Sequence, residues 1–295
     1  MSVRLRPQAG GIAGTTLLLA LAFGQPAAQS PAVPGSGSAL DRVTRYVEDY
    51  YGRARSLMAE ETVTLQHLLP DLSPDGRRRR LVYELRVEWS PGSDTEEARA
   101  TVVRELLRVG NRPARPGEKP ECLDPRAISP EPLAFLLPAQ RERFTFSMTG
   151  RARVGLRDAL MIDYTPTSER PAVVTGDKTC LTMDLPGRSR GRVWIDPATD
   201  AVLRLDEFMV GPTDVRVPRP LQSPGGAMYV TVDRSDTTTV YQPVAFDDPP
   251  ERLMLPSRID TVSVIKATGV QRLRMTQEFR NYRRFLTASR ILQDP

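Results

Sequence analysis

Gly187-Arg188-Ser189-Arg190-Gly191 has the G-x-S-x-G spacing of a nucleophile elbow, in which a serine on a tight strand-to-helix turn attacks a carbonyl. That chemistry needs a strand before the serine, a helix after it and a histidine further along the chain. Here a strand-like run follows the motif, and the single histidine, His67, precedes it. The stretch therefore reads as a polar turn. One histidine also leaves zinc without the His/Cys spacing it requires. The carboxylate pairs Glu60-Glu61 and Asp247-Asp248 are neighbours in sequence. Extended chain points neighbours to opposite faces, so neither pair is an acid–base dyad by itself. Carboxylates brought together by folding would still suit glycoside chemistry. The chain has no phosphate-binding glycine loop and no dinucleotide fingerprint. It is read as a non-enzyme without a cofactor or metal.

Two cysteines, Cys122 and Cys180, are the whole thiol inventory. In an exported chain they are expected to form one disulfide, closing a loop of about 60 residues and contributing about 4 kcal/mol by the chain-entropy model. Two free thiols or a redox pair are the alternatives, the latter lacking a Cys-x-x-Cys motif. Arg77-Arg78-Arg79-Arg80 is the densest charge run. It reads either as a solvated hairpin tip whose like charges discourage edge pairing, or as a contact for anionic lipid headgroups or an acidic partner. Trp89 and Trp194 suit a core or a ligand platform.

Export is read from the N-terminus. Arg4 and Arg6 precede a short apolar run, Ile12 to Phe23, and small residues follow at Gln25-Pro26-Ala27-Ala28-Gln29. This is the pattern of a secretory signal peptide over residues 1–29, too short in its apolar part to span a bilayer, with an uncleaved anchor as the alternative. No cysteine near the cleavage region offers a lipid anchor. The expected location is periplasmic or secreted, with no membrane span after cleavage. The formal charge of +5 loses two arginines with the leader, and the small remainder gives no argument for nucleic acid. Aromatics are 6% of the chain and prolines number 27, which suits strands and turns.

Residues 30–38 are rich in Pro, Gly and Ser and read as a flexible leader to one domain over 39–295. Ser38 would cap a helix from Ala39 to about Arg55, with Leu40, Val43, Val47 and Tyr50 or Tyr51 on one face. Period-two patterning then predicts a strand from Glu61 to Leu69. A second carries Leu81, Tyr83, Leu85, Val87 and Trp89 on one side. Thr101 to Val109 is ambiguous and leans to strand. Ser129-Pro130-Glu131 opens a short helix through Leu137, ended by Pro138. Further strands follow at 143–150, 159–165, 178–185, 191–195 and 201–210, then 228–234, 237–244, 257–266 and 271–282. Gly191 to Phe208 is a hairpin turning at Asp196-Pro197, and Ala267-Thr268-Gly269 turns the last one. Short links favour antiparallel pairing.

Four phrases together are similar to a group of uncharacterised exported bacterial proteins: Pro132-Leu133-Ala134-Phe135-Leu136-Leu137-Pro138, Phe144-Thr145-Phe146 with Gly150, Gly191-Arg192-Val193-Trp194-Ile195-Asp196-Pro197, and Phe279-Arg280-Asn281-Tyr282-Arg283-Arg284-Phe285. More distantly, the Trp-Ile-Asp-Pro hairpin resembles the LolA/LolB-like lipoprotein-carrier superfamily. The resemblance implies an α+β, mainly antiparallel fold: a strongly curved sheet or unclosed half-barrel, with helices covering its concave face around an apolar cavity. No catalytic or ligand residue carries over, because the matching motifs are turns and strands. The chain is longer than the carriers and has extra Pro-rich loops. The function expected is a soluble periplasmic binding or carrier protein for a lipid, an acyl chain or a lipidated partner. Leu81, Tyr83, Leu85, Val87, Trp89, Phe144, Phe146 and Trp194 are the expected lining. The rival from another class is an envelope interaction or assembly protein with a filled core; an unrecognised hydrolase is a third reading.

Overall fold

A computed structural model describes residues 36–90, 99–118, 121–125, 132–177 and 180–284, all within one compact unit. The expected signal peptide and most of the flexible leader lie outside them, as does the expected helix start at Ser129-Pro130-Glu131. Helix α1 (Ser36–Arg53) leads into β1 (Ser56–Leu68), β2 (Pro74–Ser90), β3 (Arg99–Val109) and the two-residue β4 (Arg112–Pro113). A 3-10 turn (Leu133–Leu136) and the one-turn helix α2 (Pro138–Arg141) precede β5 (Phe144–Val154) and β6 (Arg157–Pro166). Next come β7 (Val173–Gly176), β8 (Leu181–Asp184), β9 (Ser189–Ile195), β10 (Val202–Met209) and β11 (Thr213–Arg216). Three long strands finish the chain: β12 (Tyr229–Asp247), β13 (Pro250–Lys266) and β14 (Val270–Arg284).

The main sheet runs β4-β3-β2-β1-β14-β13-β12-β10-β9-β6-β5, with β11 on β12 and β7-β8 as a separate pair. Its pairings are antiparallel, and its end strands do not meet, so the curved sheet stays unclosed. Alternation decides what each face carries. On β1, Leu57, Ala59, Glu61, Val63 and Leu65 are all buried, while the residues between them are half-exposed. Register carries this set across the concave face: Val63 opposes Leu81 on β2 and Gln277 on β14, and Ile162 on β6 opposes Val193 on β9.

Helix α1 covers one half of that face. Its Val43 and Val47 are fully buried and share a core with Leu133, Leu136, Ile162, Val193 and Leu255. This is the face the three-to-four spacing predicts. Arg42 pins the helix to the β9–β10 turn, its Nε donating to Asp200 Oδ1 at 3.0 Å. In that turn the Asp196 N–H donates to Ala201 O at 2.9 Å, and Asp200 takes a left-handed φ of 57°. The organising hairpin expected at Asp196-Pro197 is thus in place and carries the helix.

Some boundaries differ from the sequence reading. Pro138 begins α2 rather than ending a helix; its fixed φ and missing N–H suit a first turn. The stretches 228–234 and 237–244 are one strand, since the chain stays extended through Ser235-Asp236 with a register shift at Val232/Arg234. Residues 99–109 are strand, as the lean of that stretch suggests. The short β7 and β11 have no counterpart in the sequence pattern; four residues in Pro- and Gly-flanked segments leave too little alternation to read.

Gly191 shows why one position in the β9 hairpin excludes a side chain. It opposes Tyr164, and an added Cβ would stand 2.1 Å from Asp206 O and 2.6 Å from Tyr164 Oη. The tyrosine ring fills the space a larger residue would need. Phe135, Phe144 and Phe146 gather round the same ring, with centroids 4.4, 5.8 and 6.4 Å from it.

Candidate functional site: a roofed cleft on the concave face

Away from α1 the concave face is not filled. A cleft of about 510 Å³ lies over the middle strands, within the size range of small-molecule sites. Its floor follows from register. Glu207 on β10 opposes Thr237 on β12, Thr237 opposes Thr261 on β13, and Thr261 opposes Met275 on β14. One row along, Thr239 opposes Ile259, and Ile259 opposes Gln277. The floor is therefore a band of hydroxyls beside apolar side chains, with the Thr237 and Thr261 oxygens 3.1 Å apart. Ile265, Leu273 and Val232 extend it towards the β13–β14 turn.

The other wall comes from two chain segments that pass over the sheet. Leu123 and Asp124 belong to the loop after β4, and Leu181, Met183 and Leu185 belong to β8 and its exit. The Cys122–Cys180 disulfide joins these segments, with the Cα atoms 5.4 Å apart. Asp124 anchors the first segment: its side chain is fully buried and receives Arg79 Nη1 at 2.6 Å on Oδ1 and Arg79 Nη2 at 3.3 Å on Oδ2. Arg79 also pairs with Glu121 at 2.6 Å. Alternation along β2 puts Arg79 on the concave side with Leu81 and Tyr83, so one member of the four-arginine run faces inward and holds the roof.

Charge inside the cleft is nearly all paired. Arg104 on β3 lines it and donates from Nε to Glu61 Oε2 at 2.6 Å and from Nη2 to Oε1 at 3.3 Å. Glu61 is fully buried and also accepts from Gln277 Nε2. A buried carboxylate needs such partners, because leaving one unpaired costs several kcal/mol. Tyr83, beside these groups, has a buried hydroxyl with no hydrogen-bond partner among the described residues, and burial pushes its ionisation well above the usual phenol range, with the Asp124 charge adding to the effect. Glu207 lines the cleft without an ion pair among the described residues; burial pushes its carboxyl up, and the Tyr164 hydroxyl beside it acts the other way. Among the described residues no group of three or more His, Cys, Asp or Glu is arranged to hold a metal ion. No helix among them is long and apolar enough to cross a membrane.

None of the eight residues named from sequence as ligand-lining borders this cleft. Leu81 and Tyr83 pack with Val63 and Leu65 on the concave face. Leu85, Val87 and Trp89 border a separate void of about 20 Å³ with Tyr50 and Leu57. Trp89 lies against Tyr51, centroids 4.5 Å apart. Phe144 and Phe146 belong to the Phe135–Tyr164 cluster. Trp194 is on the convex face, where the Arg204 guanidinium sits 4.8 Å from its ring. The floor residues of this cleft carry a signal in the sequence: in 259–265 and 273–277 apolar residues share one side of the strand with Thr, Ser and Gln, a mixed face unlike a plain core.

No protein-family model matches the sequence, and no curated protein matches it. Solved structures do resemble it. A domain named for outer membrane lipoprotein sorting, from Vibrio parahaemolyticus, matches at 12% identity and TM-score 0.45, over 86% of this chain and 95% of that one. A LolA superfamily protein from Nitrosomonas europaea matches at 9% identity and TM-score 0.36, over 86% and 95%. The MucA/MucB complex of Pseudomonas aeruginosa contains a chain matching at 13% identity and TM-score 0.22, over 85% of this chain and 100% of that one.

Proposed function

We propose that the protein is an exported, periplasmic binding or carrier protein, cleaved after residue 29 or close to it, that holds a hydrophobic ligand in the roofed cleft: a lipid, an acyl chain or a lipidated partner. The observation that carries this reading is the cleft itself, about 510 Å³ between the concave sheet and two segments tied by a disulfide. Apolar side chains such as Ile259, Leu273, Met183 and Leu185 offer a chain-binding wall, and the Thr237, Thr239 and Thr261 hydroxyls offer hydrogen bonds to a polar part. Arg104 and Asp124, the charged residues that wall the cleft beside Glu207, are already paired. Binding needs no catalytic group and no cofactor.

A second reading, an envelope interaction or assembly protein with a filled core, draws on the half of the face under α1. There Leu85, Val87 and Trp89 border a void about the size of one water. Organic extraction of the purified, unheated protein followed by mass spectrometry separates the two. A co-purified amphiphile in near-stoichiometric amount supports the carrier. Its absence, together with failure of acyl-chain probes to bind the delipidated protein, supports the filled interaction protein.

A further inference from the structure

On the convex face, four arginines are neutralised by an acid two residues along the same strand. Arg204 pairs with Asp206, Arg234 with Asp236, Arg258 with Asp260 and Arg86 with Glu84. At one corner of the sheet several arginines without such a partner stand together. Arg78 on β2 and Arg274 on β14 both oppose Gln66 on β1, so they lie in one row two strands apart, roughly 10 Å at the usual strand spacing. Arg80 opposes Thr64 in the next row, Arg272 is two residues before Arg274, and Arg108 on β3 opposes Val82 on β2. None of these five forms an ion pair among the described residues. Arg274 does lie in the field of Asp260, whose oxygens are already taken by Arg258 and Thr276.

Apolar side chains stand at the same end of the sheet. Leu69, just past β1, is 45% exposed, and Val270, at the start of β14, is 46% exposed. They belong to the β1–β2 and β13–β14 turns, which flank a shared groove that includes His67, Ala267, Gly269 and Arg272. Ile265 lines both this groove and the large cleft, so this rim lies at an end of the cleft.

We infer that this rim docks on a bilayer carrying anionic headgroups, with the five arginines meeting phosphates and Leu69 and Val270 entering the headgroup layer. Cations beside exposed apolar tips are the pattern of a peripheral membrane contact. An acidic protein would match the arginines but would give the two exposed aliphatic side chains no role. Guanidinium groups stay charged at any physiological pH, so the contact depends on salt and lipid charge. The inference stands whether or not the cleft holds a ligand.

Vesicle flotation of the mature protein tests it, with phosphatidylcholine alone and mixed with phosphatidylglycerol. The mixed vesicles are expected to carry the protein at low salt, and high salt to release it. Arg78→Glu with Arg274→Glu should weaken binding at least about tenfold, given the surface attraction per cation. Leu69→Ser with Val270→Ser should weaken it severalfold, while Arg151→Glu on the distant edge strand leaves it unchanged. Far-ultraviolet circular dichroism and the melting temperature confirm that these changes leave the fold intact. No binding to the mixed vesicles, or binding indifferent to the charge reversals, overturns the inference. Retention on polyglutamate without vesicle binding overturns it in favour of an acidic protein.

Discussion

Arg104 on β3 and Glu61 on β1 meet across the intervening strand β2, Nε to Oε2 at 2.6 Å, with both side chains nearly inaccessible to water. Arg104 borders the cleft, and the pair ties β1 to β3 across β2. Arg104→Met should cost about 3–5 kcal/mol, because it leaves the Glu61 carboxylate buried without its cation. Glu61→Leu combined with Arg104→Met should recover most of that loss. Urea unfolding of the three proteins measures both; a single variant within about 1 kcal/mol of wild type would show that the pair is exposed to solvent.

The disulfide between Cys122 and Cys180 closes a 58-residue separation, for which the chain-entropy model gives about 4 kcal/mol. Cys122→Ser with Cys180→Ser is expected to lose stability of that order in denaturant unfolding. The roof segments should also become sensitive to proteolysis while the sheet stays folded. Loss of roof protection without loss of the sheet distinguishes a clamp over the cleft from a staple of the whole fold.

Gly191→Ala places a methyl group against Asp206 O and the Tyr164 ring. The backbone oxygen cannot swing away as a flexible side chain would, so a loss of about 3 kcal/mol or more is expected in thermal unfolding. Pairing it with Tyr164→Ala should recover little, since the clash with the carbonyl remains.

The sheet was legible where one face is apolar and the other charged. Leu81 to Trp89 and Val63 to Leu65 declare their strands by period, and α1 declares its buried stripe through Val43 and Val47. The cleft was much less legible. Its floor joins Glu207, Thr237, Thr261 and Met275 from four strands, a row that exists only once the register is set. The apolar stripe on β2 is the stronger sequence pattern, yet strong alternation marks packed core more often than an open site. The Arg77–Arg80 run illustrates the same limit: alternation sends Arg79 inward to Asp124, while Arg78 joins Arg274 through pairing that sequence alone does not specify.

Asp163 offers a pH test on the convex face. Its hydrogen bonds to the Arg192 guanidinium, one at 2.9 Å, hold the carboxyl below the usual carboxylate range, against a smaller effect of burial. The stabilisation is therefore fully present above the ordinary carboxylate pKa and is lost as pH falls through the lower folded value. The pair is about one-third exposed on each side, so its contribution should be under about 1 kcal/mol. Asp163→Asn should flatten the acid limb of a stability–pH curve by that small amount and change nothing at neutral pH beyond it. An unchanged acid limb would mean that the ion pair is not maintained in solution.

The most direct measurement is displacement of a fluorescent acyl-chain probe from the delipidated protein, compared between wild type and Thr261→Trp. Thr261 sits on the cleft floor at half exposure, so an indole there occupies the cleft without entering the packed core. The carrier reading predicts saturable probe binding by wild type, displacement by extracted lipid, and loss of at least about tenfold in affinity in the variant, as expected when a side chain takes a ligand's place. Its melting temperature should stay close to wild type. Equal probe binding by both proteins would place the ligand elsewhere and contradict the assignment of this cleft; no binding by either would contradict the carrier function.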